Sequence, residues 1–152
     1  MQDWMGLYPE ELQAILAEMG QKPFRAKQLF SWLHQGARFA EMTNLPLSLR
    51  QSLAEKGVDQ PVSIREKRVS ALDGTQKFLY ALGDGNCVEG VLMRYHYGCT
   101  LCVSTQVGCK MGCRFCASTL DGCVRNLTAG EILGQVQCAN SVLQGERVHN
   151  IV

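Results

Sequence analysis

Apolar residues recur with the period of an α-helix through the first 57 residues of the chain. Residues 9–19 place apolar side chains at i, i+3, i+4 and i+7, after a proline and two glutamates. Two more helices are predicted over Phe24–His34 and Leu47–Lys56. Each of the three is followed by a glycine, the residue that commonly ends a helix: Gly20, Gly36 and Gly57. The pattern therefore predicts a small helical domain over residues 1–58.

Between residues 59 and 98 the pattern changes to short runs of β-branched and aromatic residues. Turn sequences separate these runs at Asp73-Gly74 and at residues 83–86, which read GDGN. Two or three antiparallel strands are therefore predicted here, as an extension that follows the helical domain.

Residues 99–152 predict a strand, a loop, a helix and a second strand, in that order. The first strand covers Thr100–Thr105, and the loop, rich in glycine and cysteine, covers residues 106–122. A capping box, Thr-x-x-Glu from Thr128, predicts the start of the helix, and the second strand begins at Val148. This order is a βαβ unit, which requires a parallel sheet.

The predicted fold class is an α+β N-terminal region that leads into the beginning of an α/β domain. One βαβ unit cannot close a sheet, and the sequence ends inside the second parallel strand of that unit. We therefore expect an incomplete chain or a fragment of a longer protein.

Bulk composition excludes few partners. The chain has 152 residues, of which 46% are hydrophobic, and 15 Lys plus Arg against 14 Asp plus Glu give a formal net charge of +1. Such a balance creates no global field toward nucleic acid or anionic lipid. The sequence has no apolar run of the roughly 18 residues that span a bilayer and no secretory signal at its start. A cytoplasmic protein without a membrane partner is expected.

Eight cysteines, all after residue 86, are the unusual feature of the composition. Without an export signal, reduced thiols that bind metal are a better expectation than a disulfide framework. Three of them form a C-x3-C-x2-C triplet with adjacent glycines: Cys109, Cys113 and Cys116. Three thiolates can hold three irons of a 4Fe-4S cluster. The fourth iron then stays open to a small molecule with an amine and a carboxylate.

Zinc is the alternative that the same cysteines leave open. Cys99-x2-Cys102 with Cys113-x2-Cys116 is a four-thiol pattern that could hold a tetrahedral ion in an RNA-binding module without catalysis. The gap between the two pairs is shorter than the roughly 15 to 20 residues usual for such sites. The zinc pattern also leaves Cys109 unused, so ligand count favours the cluster.

Residues 106–137, QVGCKMGCRFCASTLDGCVRNLTAGEILGQVQ, resemble the cluster-binding segment of the radical S-adenosylmethionine RNA methyltransferases of the RlmN family. This family modifies position 2 of an adenine in 23S ribosomal RNA and in certain transfer RNAs. Further matches lie upstream, and the resemblance covers essentially the whole chain: Lys22-Pro23-Phe24-Arg25-Ala26-Lys27 with Trp32, Glu41-Met42-Thr43, Asp73-Gly74-Thr75-x-Lys77 and Val88-Glu89-Gly90-Val91.

The resemblance implies a role for each of five residues. Cys109, Cys113 and Cys116 would be the cluster ligands, and S-adenosylmethionine would bind at the cluster. Glu89 would accept a proton in the active site, and Cys102 would help to resolve a covalent enzyme–RNA adduct through a transient disulfide. From the residue types alone, Glu89 would be a solvated strand residue and Cys102 an inward-facing core residue.

The resemblance also implies partners and missing parts. Ribosomal and transfer RNA would be the substrates, and an electron donor such as flavodoxin or ferredoxin would reduce the cluster. The family's partial (β/α) barrel, its Gly-Glu-Pro segment and its second catalytic cysteine would lie beyond Val152. A sibling family that methylates position 8 of adenine shares much of this stretch. Basic residues that could contact phosphates are Lys22, Arg25, Lys27, Arg65, Lys67 and Arg68, and four cysteines keep only structural roles: Cys87, Cys99, Cys123 and Cys138.

Overall fold

The computed structural model describes residues 1–152, which divide into two compact units, Met1–Pro61 and Val62–Val152. The first unit is helical and the second is built on a sheet. None of the helices combines the length and the apolar character needed to cross a membrane.

The first unit confirms the three predicted helices to within one residue at their ends. Its elements in chain order are β1 (Gln2–Asp3), α1 (Pro9–Glu18), α2 (Phe24–His34), a 3₁₀ turn (Phe39–Glu41), α3 (Leu47–Lys56) and β2 (Gly57–Val58). The two-residue strands β1 and β2 pair in parallel, which the hydrophobic pattern did not predict because they are too short to show one.

The core of the first unit is formed by the apolar faces of its helices. Leu12, Leu29 and Leu53 are fully buried, and the indole Nε1 of the buried Trp4 donates a hydrogen bond to the Leu53 carbonyl at 3.1 Å. Gly57 permits the close approach of β1, because a Cβ there would lie 2.2 Å from the carbonyl oxygen of Gln2. The helices are therefore fixed by packing, with the β1–β2 pair holding the two ends of the unit together.

The second unit contains a five-stranded sheet. Its strands are β3 (Val62–Val69), β4 (Gln76–Leu82), β5 (Cys87–Tyr95), β6 (Gly98–Cys102) and β9 (Val148–Ile151). They lie in the order β3-β4-β5-β6-β9, in which β3 to β6 are antiparallel neighbours and β9 pairs in parallel with β6. The predicted antiparallel strands and the parallel βαβ pairing are confirmed. The predicted boundary between residues 98 and 99 falls inside this single sheet.

Two differences from the predicted elements affect the site. Strand β6 ends at Cys102 instead of Thr105, and the segment predicted as a loop from residue 106 begins and ends in short strands. These strands, β7 (Gln106–Gly108) and β8 (Cys123–Asn126), pair antiparallel and form the base of a hairpin. The cysteine-rich residues 109–122 are therefore the tip of a hairpin.

Helix α4 (Ala129–Ser141) covers one face of the five-stranded sheet. The predicted capping box is present, since the Thr128 hydroxyl accepts from the Glu131 N–H at 3.1 Å and the Glu131 carboxylate accepts from the Thr128 N–H at 2.9 Å. The buried side chains of the sheet and of α4 form one core: Val62, Phe78, Tyr80, Leu82, Val88, Leu92, Leu101, Cys138, Ala139 and Leu143. Within the second unit, no α-helix packs on the opposite face of the sheet.

Candidate active site

The cysteine loop is closed at its base by glycine geometry. Gly108 has φ +74°, and a Cβ on it would lie 2.0 Å from the carbonyl oxygen of Gly122. The same carbonyl accepts the N–H of Cys109 at 2.9 Å. Only glycine combines this left-handed backbone with this close approach, so Gly108 determines where the first thiol enters the loop.

Within the loop, backbone groups are satisfied locally. The Thr119 hydroxyl donates to the carbonyls of Cys113 and Cys116 at 3.2 and 2.9 Å, and the Cys116 N–H donates to the Cys113 carbonyl at 3.0 Å. The N–H of Met111 lies 3.5 Å from the sulfur of Cys109 and donates to it. An N–H directed at a cysteine sulfur is the kind of contact that tunes an iron–sulfur site.

The three thiols of the triplet fit an iron–sulfur cluster by ligand type and number. Cys109, Cys113 and Cys116 are half-buried, and none of them is in a disulfide. Thiolates are the ligands that hold such clusters. The structure contains no group of three or more His, Cys, Asp or Glu side chains arranged to hold a metal ion, so these thiols do not converge on one point here.

The geometry of strand β6 does not favour the four-thiol zinc alternative. Cys99 and Cys102 lie in the same strand, β6, three positions apart, so their side chains leave opposite faces of the sheet. Cys99 is 3% exposed on the core side, whereas Cys102 is exposed on the other side. A C-x2-C pair binds zinc from a turn, and an extended strand cannot bring these two sulfurs to one ion.

Glu89 and Cys102 share the open face of the sheet. Strand β5 pairs Val91 with Cys102, and Glu89 is two residues from Val91, so all three point to the same side. The expectation of an inward-facing Cys102 is therefore wrong, because its thiol is exposed. The structure brings the two residues to one face, as a shared active site requires.

A cluster of charges surrounds the Glu89 carboxylate. Its Oε1 lies 2.7 Å from the Lys77 Nζ, and the Arg68 Nε donates to Glu66 at 2.6 Å beside this pair. These groups line an open cavity of about 190 Å³, and apolar side chains of β4 complete its wall. The lining residues are Glu66, Arg68, Lys77, Phe78, Leu79 and Glu89. In the sequence, Lys77 stands out only as the last residue of the Asp73-Gly74-Thr75-x-Lys77 motif. Its contact with Glu89 depends on the β4–β5 register.

Arg125 anchors the hairpin that carries the thiols, and no sequence pattern predicts this role. From β8 its guanidinium donates to both carboxylate oxygens of Glu131 at 2.8 Å and to Asp84, in the β4–β5 turn, at 2.7 Å. The hydrogen bonds from Arg125 lower the pKa of Glu131, although burial opposes this. Hydrogen bonds from Asn86 and then from Arg125 lower the pKa of Asp84 to about 2. The two carboxylates in turn raise the pKa of Arg125.

The basic residues predicted to contact phosphates lie in both units. In the helical unit, the Arg25 Nη1 donates to Gln28 and to the Asn44 carbonyl, and its guanidinium lies 4.8 Å from the centre of the Phe24 ring. The Trp32 indole donates to the Asn44 side chain at 2.6 Å. This surface borders a shallow cavity of about 350 Å³ lined by Lys27, Gln28, Ser31, Trp32, Gln35 and Asn44.

Comparisons with known proteins identify relatives of the chain. The family model described as "Ribosomal RNA large subunit methyltransferase N-terminal domain" matches residues 2–58. The chain is 51% identical over 151 residues to a "Probable dual-specificity RNA methyltransferase RlmN" of Alkaliphilus oremlandii, covering 99% of this chain and 44% of the relative. It is 51% identical over 152 residues to a relative of the same name in Lachnoclostridium phytofermentans, covering 42% of that protein.

A solved structure shares the fold. The crystal structure of a radical SAM methyltransferase from Sphaerobacter thermophilus matches with a TM-score of 0.88 and 39% identity, over 97% of this chain and 44% of that one. The fold and the cysteine hairpin thus define the class, the radical S-adenosylmethionine methyltransferases. Within it the chain belongs to the RlmN family, as the sequence motifs predicted. The chain spans less than half of the length of the curated relatives it matches.

Proposed function

We propose that the chain provides the cluster-binding hairpin and part of the active-site face of an RNA methyltransferase. The enzyme would transfer a methyl group from S-adenosylmethionine to position 2 of adenine in 23S ribosomal RNA and transfer RNA. The observation that supports this most is the common location of the exposed Glu89 and Cys102 on one sheet face, with the cysteine hairpin following directly after β6. A cytoplasmic location belongs to the same proposal.

Cys109, Cys113 and Cys116 would hold a 4Fe-4S cluster, with S-adenosylmethionine at its open iron. When bound, the cluster supplies the single electron that starts radical chemistry at an adenine carbon too unreactive for ordinary polar methyl transfer. A small electron-transfer protein such as flavodoxin or ferredoxin would reduce it. The chain's own contribution is to present three thiolates from a hairpin whose base is fixed by Gly108 and Gly122.

Glu89 would accept the proton that leaves the adenine ring. A general base must reach the proton it removes, and the position of the Glu89 carboxylate on an open face beside a cavity supports this role. Cys102, on the same face, would attack the sulfur of a covalent enzyme–RNA adduct as a thiolate, so that a disulfide forms as the carbon–sulfur bond breaks and the released carbon takes the electron pair and a proton. Its exposure makes this exchange possible.

Cluster binding can be tested on the 152-residue chain. Anaerobic reconstitution with iron and sulfide should give a brown protein with about four irons per chain, as expected for a three-thiolate cluster. Cys113→Ala should lose this iron, whereas Cys123→Ala should keep it. Cys123 is the matched control because it is also half-buried and lies at the base of the same hairpin. A colourless chain that retains one zinc would refute the proposal.

Methyl transfer requires residues outside this chain. A chimera in which this chain replaces the matching 151 residues of the Alkaliphilus oremlandii relative supplies them. Mass spectrometry of RNA treated with the chimera should detect an adenine methylated at position 2. Methylation at position 8 would assign the sibling activity, and unmodified RNA from a chimera that carries its cluster would contradict the proposal.

A further inference from the structure

Gln135 on α4 is a completely buried polar side chain whose amide forms its two shortest hydrogen bonds with one residue of the backbone, Ser104, and also donates to the carbonyl of Glu131 at 3.4 Å. It is 0% exposed. Its Oε1 accepts the N–H of Ser104 at 2.9 Å, and its Nε2 donates to the carbonyl of the same Ser104 at 2.9 Å. Two residues that face each other in an antiparallel sheet exchange the same pair of bonds. Gln135 therefore acts toward Ser104 as a neighbouring strand would.

Ser104 connects this amide to the active-site face. Its hydroxyl donates to the carbonyl oxygen of Glu89 at 2.7 Å, and it lies two residues after Cys102. Its neighbours are held by other partners, since the Val103 N–H donates to Val152 at 2.9 Å and the Thr105 carbonyl accepts from Leu127 at 2.8 Å. Residues 103–105 link β6 to β7. Without Gln135, neither the N–H nor the carbonyl of Ser104 would have a hydrogen-bond partner, whereas Val103 and Thr105 would each keep one.

Packing alone does not explain a glutamine at this position. Burying an amide is unfavourable unless it is hydrogen-bonded, and an apolar side chain of similar size would fill the same space without that cost. The backbone carbonyl of Gln135 also accepts the hydroxyl of the buried Tyr80 at 3.3 Å, which fixes this turn of α4 against β4. The side chain is thus held on a rigid element and directed at one peptide.

We propose that Gln135 is a positioning residue for the methyltransferase reaction: through its two bonds to Ser104 it fixes the path of the chain from Cys102 to the cysteine hairpin and the attachment of that path to Glu89. This inference rests on the proposed function for its catalytic consequence. The structural part of it, that the amide is the sheet partner of Ser104, can be tested on this chain without any activity.

Gln135→Glu separates a sheet partner from a space filler. The introduced carboxyl group has the shape of the amide, but as a carboxylate it can only accept and would face the Ser104 carbonyl without a proton. When protonated it can again accept from the Ser104 N–H and donate to the Ser104 carbonyl. Burial raises the pKa of such a carboxyl group, so its protonation falls in a pH range in which the fold can be studied.

The measurement is hydrogen exchange of the Ser104 amide by NMR, expressed as a protection factor that removes the intrinsic pH dependence. In Gln135→Glu we expect protection to fall at least tenfold at pH 8 and to recover at pH 5. The wild-type chain should show no such recovery. The other titratable groups near this position are Tyr80, whose hydroxyl donates to the Gln135 carbonyl, and Glu131 and Cys138, each about one turn away on α4. Because the wild type contains them all, it is the control for their titration.

Leu143→Ala is the control for general loss of stability, because Leu143 is buried in the same core and its apolar side chain forms no hydrogen bond with Ser104. It should leave the protection of Ser104 independent of pH relative to core amides of β4. If Gln135→Glu does not fold at pH 8, Gln135→Met is the second variant, and it should lower Ser104 protection at every pH. Equal Ser104 protection in Gln135→Met and the wild type would overturn the inference.

The catalytic consequence is measured in the chimera with the Alkaliphilus oremlandii relative. Gln135→Glu should lower kcat at least tenfold at pH 8 while the KM for RNA and the iron content stay within twofold of the unsubstituted chimera. An unchanged kcat would refute the positioning role. If the unsubstituted chimera carries its cluster and is inactive, the proposed function fails and the exchange result on Ser104 still stands.

Discussion

Removing the guanidinium of Arg125 should destabilise the second unit and spare the first. Arg125→Met keeps most of the side-chain stem and removes the charge that bonds to both oxygens of Glu131. The Glu131 side chain is only 9% exposed and that of Arg125 is 30% exposed, so the carboxylate would be left nearly buried with the Thr128 N–H as its remaining partner. The substitution therefore creates an unpaired, poorly solvated charge.

The magnitude follows from this burial. Removing one partner of a fully buried ion pair costs about 3 to 5 kcal/mol, and the partial exposure of Arg125 reduces this to about 2 to 3 kcal/mol of unfolding free energy. The ion pair between Arg125 and Asp84 contributes little to this free energy, because the Asp84 carboxylate lies at the surface. Arg147→Met, at an exposed arginine of the same unit outside these ion pairs, should change stability by less than about 0.5 kcal/mol.

Urea unfolding followed by hydrogen exchange of β4 amides measures the second unit directly. Both tryptophans, Trp4 and Trp32, are in the first unit. Their fluorescence therefore follows the unfolding of the first unit and distinguishes it from the unfolding of the second. Adding Glu131→Gln to Arg125→Met should recover at least about 1 kcal/mol, because the double variant has no buried charge. Equal stability of the Arg125→Met and Arg147→Met chains would refute the reasoning.

The same ion pair gives a pH dependence whose sign can be derived. The folded pKa of Glu131 is lowered by Arg125, so its contribution is fully present above its unfolded pKa of about 4.3 and is lost as the pH falls through the folded value. Asp84, with a pKa of about 2, acts in the same direction. The stability of the second unit should therefore fall below about pH 4.5 in the wild type and fall less steeply in Arg125→Met.

Three further substitutions test the hairpin, α4 and the active-site face, the last of them with a control variant. Gly108→Ala would place a Cβ 2.0 Å from the Gly122 carbonyl, and we expect reconstituted iron to fall below half of the wild-type content. Thr128→Ala removes the cap of α4 and should cost about 1 kcal/mol in urea unfolding, with iron content unchanged. In the chimera, Glu89→Gln should abolish RNA methylation measured by mass spectrometry and retain iron, whereas Glu66→Gln on the same face should retain activity.

Local sequence signals predicted the elements that carry their own pattern. The helices of the first unit show the periodicity of an α-helix and are followed by glycines, α4 begins with a capping box, and these observed bounds agree with the signals. Strands β7 and β8 have three and four residues, too few for a periodic pattern, and their pairing depends on glycines 14 residues apart at Gly108 and Gly122. Their existence could not be read from composition alone.

The side of the sheet to which Cys102 points could not be predicted, because buried and exposed residues do not alternate along β6. Cys99, Thr100 and Leu101 are all buried, so the strand reads as a continuous apolar run and neither face is marked as the outer one. Only the β5–β6 register assigns Cys102 to the side of Glu89. The family motif predicted Glu89 and Cys102 as site residues, and the register of the sheet brings them to one face.

The contacts that hold the thiols in place are the ones that sequence reasoning missed, and they share a physical character. Arg125 reaches Asp84 across 41 positions, and Gln135 reaches Ser104 across 31. Each replaces support that the loop cannot provide for itself, since residues 109–122 contribute no side chain to the buried core. The position of the cysteine hairpin therefore depends on polar contacts to the sheet and α4. A substitution at Arg125, far from the cysteines, can consequently displace the hairpin while the three thiols remain unchanged.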